Sequence, residues 1–199
     1  MLQYIIKSNN TFSLKDNVKC ALEGGCKWIR LDVSLMESDD TEQCVKDILA
    51  MCKKHDCILT IEDDVEIAKQ TQVDGVHLTK MASISPVEAR KQLGEEPILG
   101  MTISEANEVP FLPRTAVDYI EVSDCNEIQE YTKIVAQMKQ TGLEEPVVAR
   151  LNDITAVNEV MAAGINGIAL MHNLSHMGIL NDLISQLENI VEQHLQELD

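Results

Sequence analysis

An alternation of strand-like and helix-like segments runs through this chain of 199 residues, and it restricts the possible folds more than any other feature. The clearest unit begins at Ile58, where an apolar, β-branched run ends in three carboxylates, Glu62, Asp63 and Asp64, and then becomes helical in pattern. Short apolar runs of this kind are typical of strands buried in a parallel sheet, whose connections are helices. The sequence therefore predicts an α/β protein with polar side chains at the carboxyl ends of its strands.

This strand–helix unit recurs roughly eight times, which is the count of a closed parallel barrel. The chain is therefore predicted to form a single (β/α)8 barrel domain over residues 1–199, with an open doubly wound sheet as the alternative. No Gly-x-Gly-x-x-Gly turn follows the first strand, which favours the barrel. Strands are predicted at 4–6, 27–33, 58–64, 76–78, 97–102, 117–122, 146–151 and 167–171. Helices are predicted at 13–22, 38–54, 85–93, 126–139, 155–163 and 178–198, and a short one begins at 65. Residues 104–109 form at most a short helix, which Pro110 and Pro113 end.

The charge of the chain restricts its partners. The formal net charge is -17 at pH 7. Nucleic acids and anionic membrane surfaces are bound through basic patches, so neither is an expected partner. An anionic small molecule would need specific Arg, Lys or backbone N–H groups to hold it.

The cysteines and the N-terminus indicate a cytoplasmic setting. The six cysteines include no Cys-x-x-Cys pair and no His at zinc-finger spacing, so we expect reduced thiols that pack as small apolar groups. The first residues lack the basic region and the long apolar run of a signal peptide, and no run is long enough to span a membrane. We therefore expect a soluble, cytoplasmic protein.

Several short motifs occur in a fixed order along the chain. Residues 74–78 read Asp-Gly-Val-His-Leu, and residues 61–68 place Glu-Asp-Asp before a short helix. Together these motifs resemble the thiamine phosphate synthase family, which includes thiazole tautomerase-like relatives. The resemblance implies a (β/α)8 barrel and a transferase of thiamine biosynthesis that joins a pyrimidine pyrophosphate to a thiazole phosphate with magnesium. Further matching segments are 21–31, 86–90, 98–100, 118–120, 146–149, 154–158 and 163–169.

The sequence departs from the family pattern where pyrophosphate and metal would bind. The family's Gln-Leu-Arg-x-Lys appears at 30–34 as Arg-Leu-Asp-Val-Ser, so Asp32 and Ser34 replace the Arg and Lys that would hold pyrophosphate. The family's metal-binding Asp is kept as Asp63, whereas its Asn is replaced by Glu62. The resemblance therefore implies that Mg²⁺ remains a possible cofactor through Asp63 and that the pyrophosphate site is altered.

Four further departures lie in the loops that follow the strands. Residues 79–82 read Thr-Lys-Met-Ala where the family has Gly-Gln-x-Asp, so the second metal carboxylate is missing. Ser104 replaces the His of the fifth strand, and the long Thr-x-Thr-Lys loop after the sixth strand is missing. Residues 150–153 read Arg-Leu-Asn-Asp in place of a Gly-Gly phosphate turn, and without glycines the backbone approaches a phosphate less closely.

Strand alternation, combined with the family's inward positions, identifies the candidate site residues. The polar side chains expected at the barrel mouth either form a charge-paired network or line a pocket for a different small ligand. His77 and Glu62 are the candidate catalytic residues, although a packed barrel histidine is the alternative for His77. Asp63 is the candidate metal ligand, unless Asp63 and Asp64 cap the helix that follows. The mouth-facing residues are Arg30, Asp32, Glu62, His77, Glu121, Arg150 and His172, and the candidate binding residues are Arg30, Asp32, Thr102, Glu121, Arg150, Asn152, His172 and Asn173.

Three functions follow from this combination of resemblance and departure. The first is a divergent barrel of the thiamine pathway with altered or lost activity. The second is a non-catalytic paralogue that binds a ligand or regulates a partner, and the third is a metal-free thiazole isomerase. The expected ligand is a small phosphorylated heterocycle, with its phosphate near Arg150 and His172. The apolar helix at 178–198 is expected to close the outside of the barrel, and the alternative is that it also pairs with a second copy in a homodimer.

Overall fold

The computed structural model describes residues 1–7, 13–36, 38–123, 125, 127–152, 154–171 and 177–198, with backbone alone at 38–40, 177–183 and 195–198. Eight parallel strands close into a barrel in chain order, β1 to β8. This confirms the predicted (β/α)8 barrel, and the open doubly wound sheet is wrong. The strands are β1 Leu2–Lys7, β2 Trp28–Asp32, β3 Ile58–Glu62, β4 Gly75–Leu78, β5 Ile98–Ile103, β6 Tyr119–Val122, β7 Val147–Leu151 and β8 Gly167–Leu170.

Helices connect consecutive strands on the outside of the barrel. Ser13, Asp64 and Ser85 precede the helices Leu14–Glu23, Val65–Thr71 and Pro86–Leu93, and each accepts a hydrogen bond from a backbone N–H in the first turn of its helix. Such caps satisfy N–H groups that have no partner inside the helix, so these short polar residues define where each helix begins. The helices are α1 Leu14–Glu23, α2 Ser38–Lys53, α3 Val65–Thr71, α4 Pro86–Leu93, α5 Ile128–Thr141, α6 Val157–Ala162 and α7 Met177–Leu198.

The segment between β5 and β6 differs from the prediction. A 3₁₀ helix, Ala106–Phe111, contains Pro110, so the prediction that the proline ends the helix is wrong. Side chains support the first turn, since Glu108 accepts hydrogen bonds from the N–H groups of Ser104 at 2.7 Å and Glu105 at 3.0 Å. A short 3₁₀ segment carries few backbone hydrogen bonds, so the missing proline N–H is tolerated.

The strand ends also differ from the prediction where side chains bond to the backbone. Strand β6 begins at Tyr119 and not at residue 117. Asp118 lies just before the strand, where its carboxylate accepts hydrogen bonds from the Leu99 N–H and from Arg90 Nη2, both at 2.6 Å. The Asp118 N–H also donates to the Leu99 carbonyl at 2.7 Å, so backbone and side-chain hydrogen bonds together hold the entry into β6.

Strand alternation divides the buried side chains between two regions. The larger apolar cluster includes Ile29, Leu31, Leu59 and Ile61 and lies between the barrel and its helices. A small apolar cluster occupies the inside of the barrel, where the side chains point inward from alternate strand positions. Its buried members are Ile5, Tyr119, Val148 and Ala169. The remaining inward positions near the carboxyl ends of the strands are polar, and they form the candidate site.

No helix among the described residues is long and apolar enough to cross a membrane.

Candidate functional site

A buried arginine lies at the centre of the barrel interior. Arg30 on β2 is fully buried, and its Nε lies 3.0 Å from Glu62 Oε1 while its Nη1 lies 2.5 Å from Glu121 Oε2. Arg30 Nη1 also donates a hydrogen bond to Gln3 Oε1 at 3.3 Å. Charges withdrawn from water are stable only when they are paired. The ion pairs of Arg30 therefore join β2 to β3 and β6, and its hydrogen bond to Gln3 joins β2 to β1.

A histidine branch extends this network across the barrel. His77 Nε2 lies 2.8 Å from Thr102 Oγ1, and His77 Nδ1 lies 2.8 Å from the Tyr119 hydroxyl. Thr102 Oγ1 donates to Glu121 Oε1 at 3.2 Å, so it is available to His77 as an acceptor. We therefore assign the imidazole proton to Nε2, with Nδ1 accepting from Tyr119.

Burial and neighbouring charges shift the pKa values of these groups. Burial, followed by the repulsion of Arg30, lowers the pKa of His77 to about 4, so the imidazole is neutral at physiological pH. Burial opposes ionisation of Glu121, but the charge of Arg30 prevails and holds the Glu121 pKa well below its usual range. At Glu62 burial prevails, and the pKa of that carboxyl is raised although Arg30 and Arg150 act against the shift.

The network contains residues that sequence reasoning missed. Gln3 Oε1 accepts a hydrogen bond from Arg30 and also lies 3.4 Å from the Tyr119 hydroxyl, whose proton is directed to His77. Tyr119 fits beside Gly100, where an added Cβ would lie 2.1 Å from the Tyr119 Cζ atom. The inward position of Tyr119 follows from its spacing of two residues from Glu121, so strand alternation could have identified it.

The rim of the barrel between β2 and β3 forms an acidic cavity of about 510 Å³. Four carboxylates line it, and its described lining contains no Lys or Arg. Asp32, which the sequence placed with the network, instead accepts hydrogen bonds through Oδ1 from Ser34 N at 3.0 Å and Ser34 Oγ at 2.6 Å. Besides Asp32, the lining consists of Val33, Ser34, Met36, Thr41, Glu62, Asp63, Asp64, Ile67 and Ser83.

The two aspartates after β3 have separate structural roles. Asp63 has a positive φ of 59° and accepts hydrogen bonds from Thr79 N at 2.6 Å and from Thr79 Oγ1 at 2.5 Å. Asp64 caps α3 by accepting from Ile67 N at 2.9 Å. Of the two expected caps only Asp64 is one, because the left-handed backbone at Asp63 directs that carboxylate to the turn after β4.

The remaining candidates lie apart from the ion-paired centre. Arg150 on β7 is half-buried, its Nη2 lies 3.2 Å from the Met171 sulfur, and it forms no salt bridge within the described part of the chain. Asn152 is exposed just after β7. His172 and Asn173 lie outside the described residues. Of the expected network, Arg30, Glu62, His77 and Glu121 lie together, and the candidate binding residue Thr102 lies between His77 and Glu121. Asp32, Arg150 and Asn152 belong to the rim.

A closed parallel barrel with polar residues collected at the carboxyl ends of its strands defines a (β/α)8 barrel of the kind that enzymes use. The family model described as thiamine monophosphate synthase matches residues 2–174. The chain therefore belongs to the thiamine monophosphate synthase family.

Individual relatives agree with this assignment. A thiamine-phosphate synthase of Bacteroides fragilis is 35% identical over 184 residues, an alignment that covers 85% of this chain and 89% of that protein. A thiamine-phosphate synthase of Bacteroides thetaiotaomicron is 34% identical, and the alignment covers 85% of this chain and 87% of that protein. Among solved structures, the thiamine phosphate pyrophosphorylase of Pyrococcus furiosus shares the fold with a TM-score of 0.79 at 22% identity, covering 97% of this chain and 96% of that one.

Proposed function

We propose that this chain is a thiamine-pathway barrel that no longer catalyses the magnesium-dependent condensation of a pyrimidine pyrophosphate with a thiazole phosphate. It binds a small phosphorylated heterocycle without that turnover, as a cytoplasmic protein. Family membership supports the thiamine pathway, since the Bacteroides relatives are named for thiamine-phosphate synthesis. The acidic rim cavity is the single observation that carries the loss of the reaction.

The charge of the rim cavity opposes a pyrophosphate ligand. The four carboxylates in the lining repel a polyanion, and the described lining offers no Arg or Lys to neutralise it. Arg30 cannot take that role, because it is fully buried and already pairs with Glu62 and Glu121. Electrostatic stabilisation of developing charge is commonly the largest part of catalysis, and a single lost donor costs about 3 kcal/mol.

The residues around Asp63 do not fit a magnesium site. Both oxygens of Asp63 accept hydrogen bonds from Thr79, which orient them towards the turn after β4. Magnesium takes six oxygen ligands in a near-octahedral arrangement, commonly with one or two carboxylates and substrate phosphates. The described residues contain no group of three or more His, Cys, Asp or Glu side chains arranged to hold a metal ion.

Arg150 is the cation that supports a phosphorylated ligand. It lies half-buried at the carboxyl end of β7, close enough to act against the rise in the pKa of Glu62, and has no carboxylate partner within the described residues. Barrels of this class commonly bind phosphate at the loops after the seventh and eighth strands. A monophosphate at Arg150 would place an attached ring over the mouth of the barrel.

A turnover assay tests the proposal directly. The protein is incubated with both family substrates and Mg²⁺, and thiamine phosphate is measured beside the Bacteroides fragilis relative. We expect product at the level of the enzyme-free control, together with a thermal shift by thiazole phosphate or thiamine phosphate that Arg150→Met abolishes. Turnover by this chain comparable to that of the relative would overturn the loss of activity, and the absence of any thermal shift would remove ligand binding.

A variant that introduces two cations at the rim cavity tests whether the charge of this cavity opposes pyrophosphate binding. Asp32→Arg with Ser34→Lys places cations where the family pattern has them and raises the net charge by 3 (+2 and +1 from the two changes). We expect this double variant to bind inorganic pyrophosphate more tightly than the unmodified chain. The matched control is Gln92→Lys with Glu95→Arg, an equal charge change at two exposed positions outside the cavity lining. Equal gains by both variants would show that net charge, and not the cavity, governs pyrophosphate binding.

A further inference from the structure

The registers of the strands arrange the inward side chains of the barrel in layers. Neighbouring strands of such a barrel are staggered by about one residue, so each layer takes one side chain from every second strand. The layer that contains the fully buried ion pair takes its side chains from β2, β4, β6 and β8. Its members are Arg30, His77, Glu121 and Ala169. The next layer towards the mouth takes its side chains from the other four strands.

Glu62 and Arg150 both belong to this outer layer. Glu62 of β3 is in register, through β4, with Gly100 of β5, so its neighbour in the layer is Thr102, two residues further along. The same step leads from Thr102 to Arg150 of β7, and from Arg150 to Ile5 of β1. Because β3 and β7 stand opposite each other in the closed order of the strands, Glu62 and Arg150 lie on opposite walls of one layer.

The two layers differ in how their charges are paired. In the inner layer Arg30 Nη1 lies 2.5 Å from Glu121 Oε2, so these two charges are in direct contact. In the outer layer Glu62 and Arg150 form no salt bridge with each other, and Arg150 Nη2 contacts the Met171 sulfur at 3.2 Å. Glu62 instead shares Arg30 with Glu121, at 3.0 Å from Arg30 Nε. One guanidinium thus serves two carboxylates, and the outer layer holds a negative and a positive charge apart.

Glu62 is also the member of the buried network that a ligand can reach. Its side chain is only 9% exposed, and it lines the rim cavity of about 510 Å³. A carboxylate withdrawn from water to this extent is costly unless a positive charge lies against it. Apolar side chains of Val33, Met36 and Ile67 line the same cavity, so it can hold a ring as well as a charge. The family pattern has Asn at position 62, so this negative charge is a feature of the present chain.

We propose that Glu62 makes the site selective for a zwitterionic ligand, whose phosphate monoester binds Arg150 and whose ring carries a positively charged nitrogen against Glu62. This inference rests on the proposed function, because it requires a phosphorylated ligand at Arg150. The two charges of such a ligand match the opposite charges on the two walls of the outer layer. A neutral ring leaves Glu62 with only its shared counter-charge, so it binds less tightly.

Calorimetric titration of the unmodified chain with two matched compounds tests this selectivity. Thiazole phosphate has a neutral ring, and its N-methylated form, a thiazolium phosphate, has a positive charge on the ring nitrogen. Because contacts between ionised groups are stronger than those of neutral groups, we expect the thiazolium phosphate to bind about tenfold more tightly. Equal affinities, or tighter binding of the neutral ring, would overturn the selectivity and leave the proposed function intact. Binding of neither compound would overturn the proposed function, and this inference with it.

Glu62→Gln tests whether this one side chain causes the selectivity. It keeps the size of the side chain and removes its charge, so the two affinities should become equal, mainly through weaker binding of the thiazolium phosphate. The matched control is Glu66→Gln, which removes the same charge from an exposed residue of α3 outside the cavity lining and should keep the preference. A preference that survives in Glu62→Gln, or one that disappears equally in Glu66→Gln, would overturn the role of Glu62. Circular dichroism checks that both variants are folded, and the titrations of the unmodified chain decide the selectivity alone if Glu62→Gln is not.

Discussion

At the scale of single residues, Arg30 carries its positive charge inside the barrel between Glu62 and Glu121. Attraction between such charges offsets the loss of hydration only while every partner is present. The two carboxylates stabilise the folded protein only while Arg30 is present, and they destabilise it once the guanidinium is removed. This property makes the centre of the barrel unusually sensitive to single substitutions.

Arg30→Met tests this dependence. It leaves Glu62 and Glu121 buried without a counter-charge, so we expect a loss of roughly 3–5 kcal/mol in the free energy of unfolding, measured by urea denaturation. Lys15→Met, which breaks an exposed pair with Asp47, should change stability little. The triple variant Arg30→Met, Glu62→Leu, Glu121→Leu should recover much of the loss. A loss from Arg30→Met no larger than that from Lys15→Met would contradict the network.

His77 makes stability depend on pH. Its pKa is lowered to about 4 in the folded protein, below the value of about 6.5 for an exposed histidine. The stabilisation from keeping the imidazole neutral is therefore complete above pH 6.5 and is lost as pH falls towards 4, by on the order of 3 kcal/mol. His77→Gln should flatten the curve of unfolding free energy against pH in this window. Identical slopes for both proteins would show that His77 is not the group responsible.

The inward positions of Arg30, Glu62, His77 and Glu121 could be predicted from the sequence, because strand alternation places polar residues two apart on one side. The contacts could not be predicted. Whether a polar inward side chain is sealed inside the barrel or reaches the rim depends on strand stagger, and Asp32 is only two residues beyond Arg30 on β2. Gln3 was missed because β1 is longer than its apolar run suggests, beginning at Leu2.

At the scale of elements, β5 and β6 depend on a close approach between a glycine and a ring. Gly100 leaves the space that Tyr119 occupies, and Tyr119 in turn bonds to His77 at 2.8 Å. A side chain at Gly100 would displace the ring and break the histidine branch. The glycine thus links the packing of two strands to the polar network.

Gly100→Ala should lower the free energy of unfolding by about 1–3 kcal/mol, because the new Cβ overlaps Tyr119. The same substitution in a Tyr119→Leu background should cost clearly less, since the ring has been removed. The difference between the two costs is the coupling energy, and urea denaturation of all four proteins measures it. Equal costs in both backgrounds would mean that Tyr119 does not fill the space beside Gly100.

Element boundaries were predicted well where a side-chain cap defines them and poorly elsewhere. Ser85 and Gly94 delimit α4 as the sequence indicates, because the cap and the glycine act locally. The 3₁₀ helix through Pro110 depends on the Glu108 side chain, and the start of β6 depends on bonds from Asp118 to two distant segments. Such non-local contacts cannot be derived from local sequence patterns.

At the scale of the whole molecule, the fold is that of the family, and the proposed loss of the condensation depends on the charge of the barrel rim. The alternation of strands and helices predicted the closed barrel, because each parallel pair requires a helical crossover. The excess of acidic residues, with a net charge of -17, extends into the rim cavity as four carboxylates. The proposed function thus combines a retained scaffold with a rim cavity whose charge opposes a pyrophosphate ligand.

Calorimetric titration with inorganic pyrophosphate and Mg²⁺ tests this claim most directly, with the Bacteroides fragilis relative titrated alongside. We predict that the relative binds pyrophosphate together with Mg²⁺ and that titration of this chain gives only the heat of dilution. Saturable, magnesium-dependent binding to this chain, weakened by Asp63→Asn, would contradict the account.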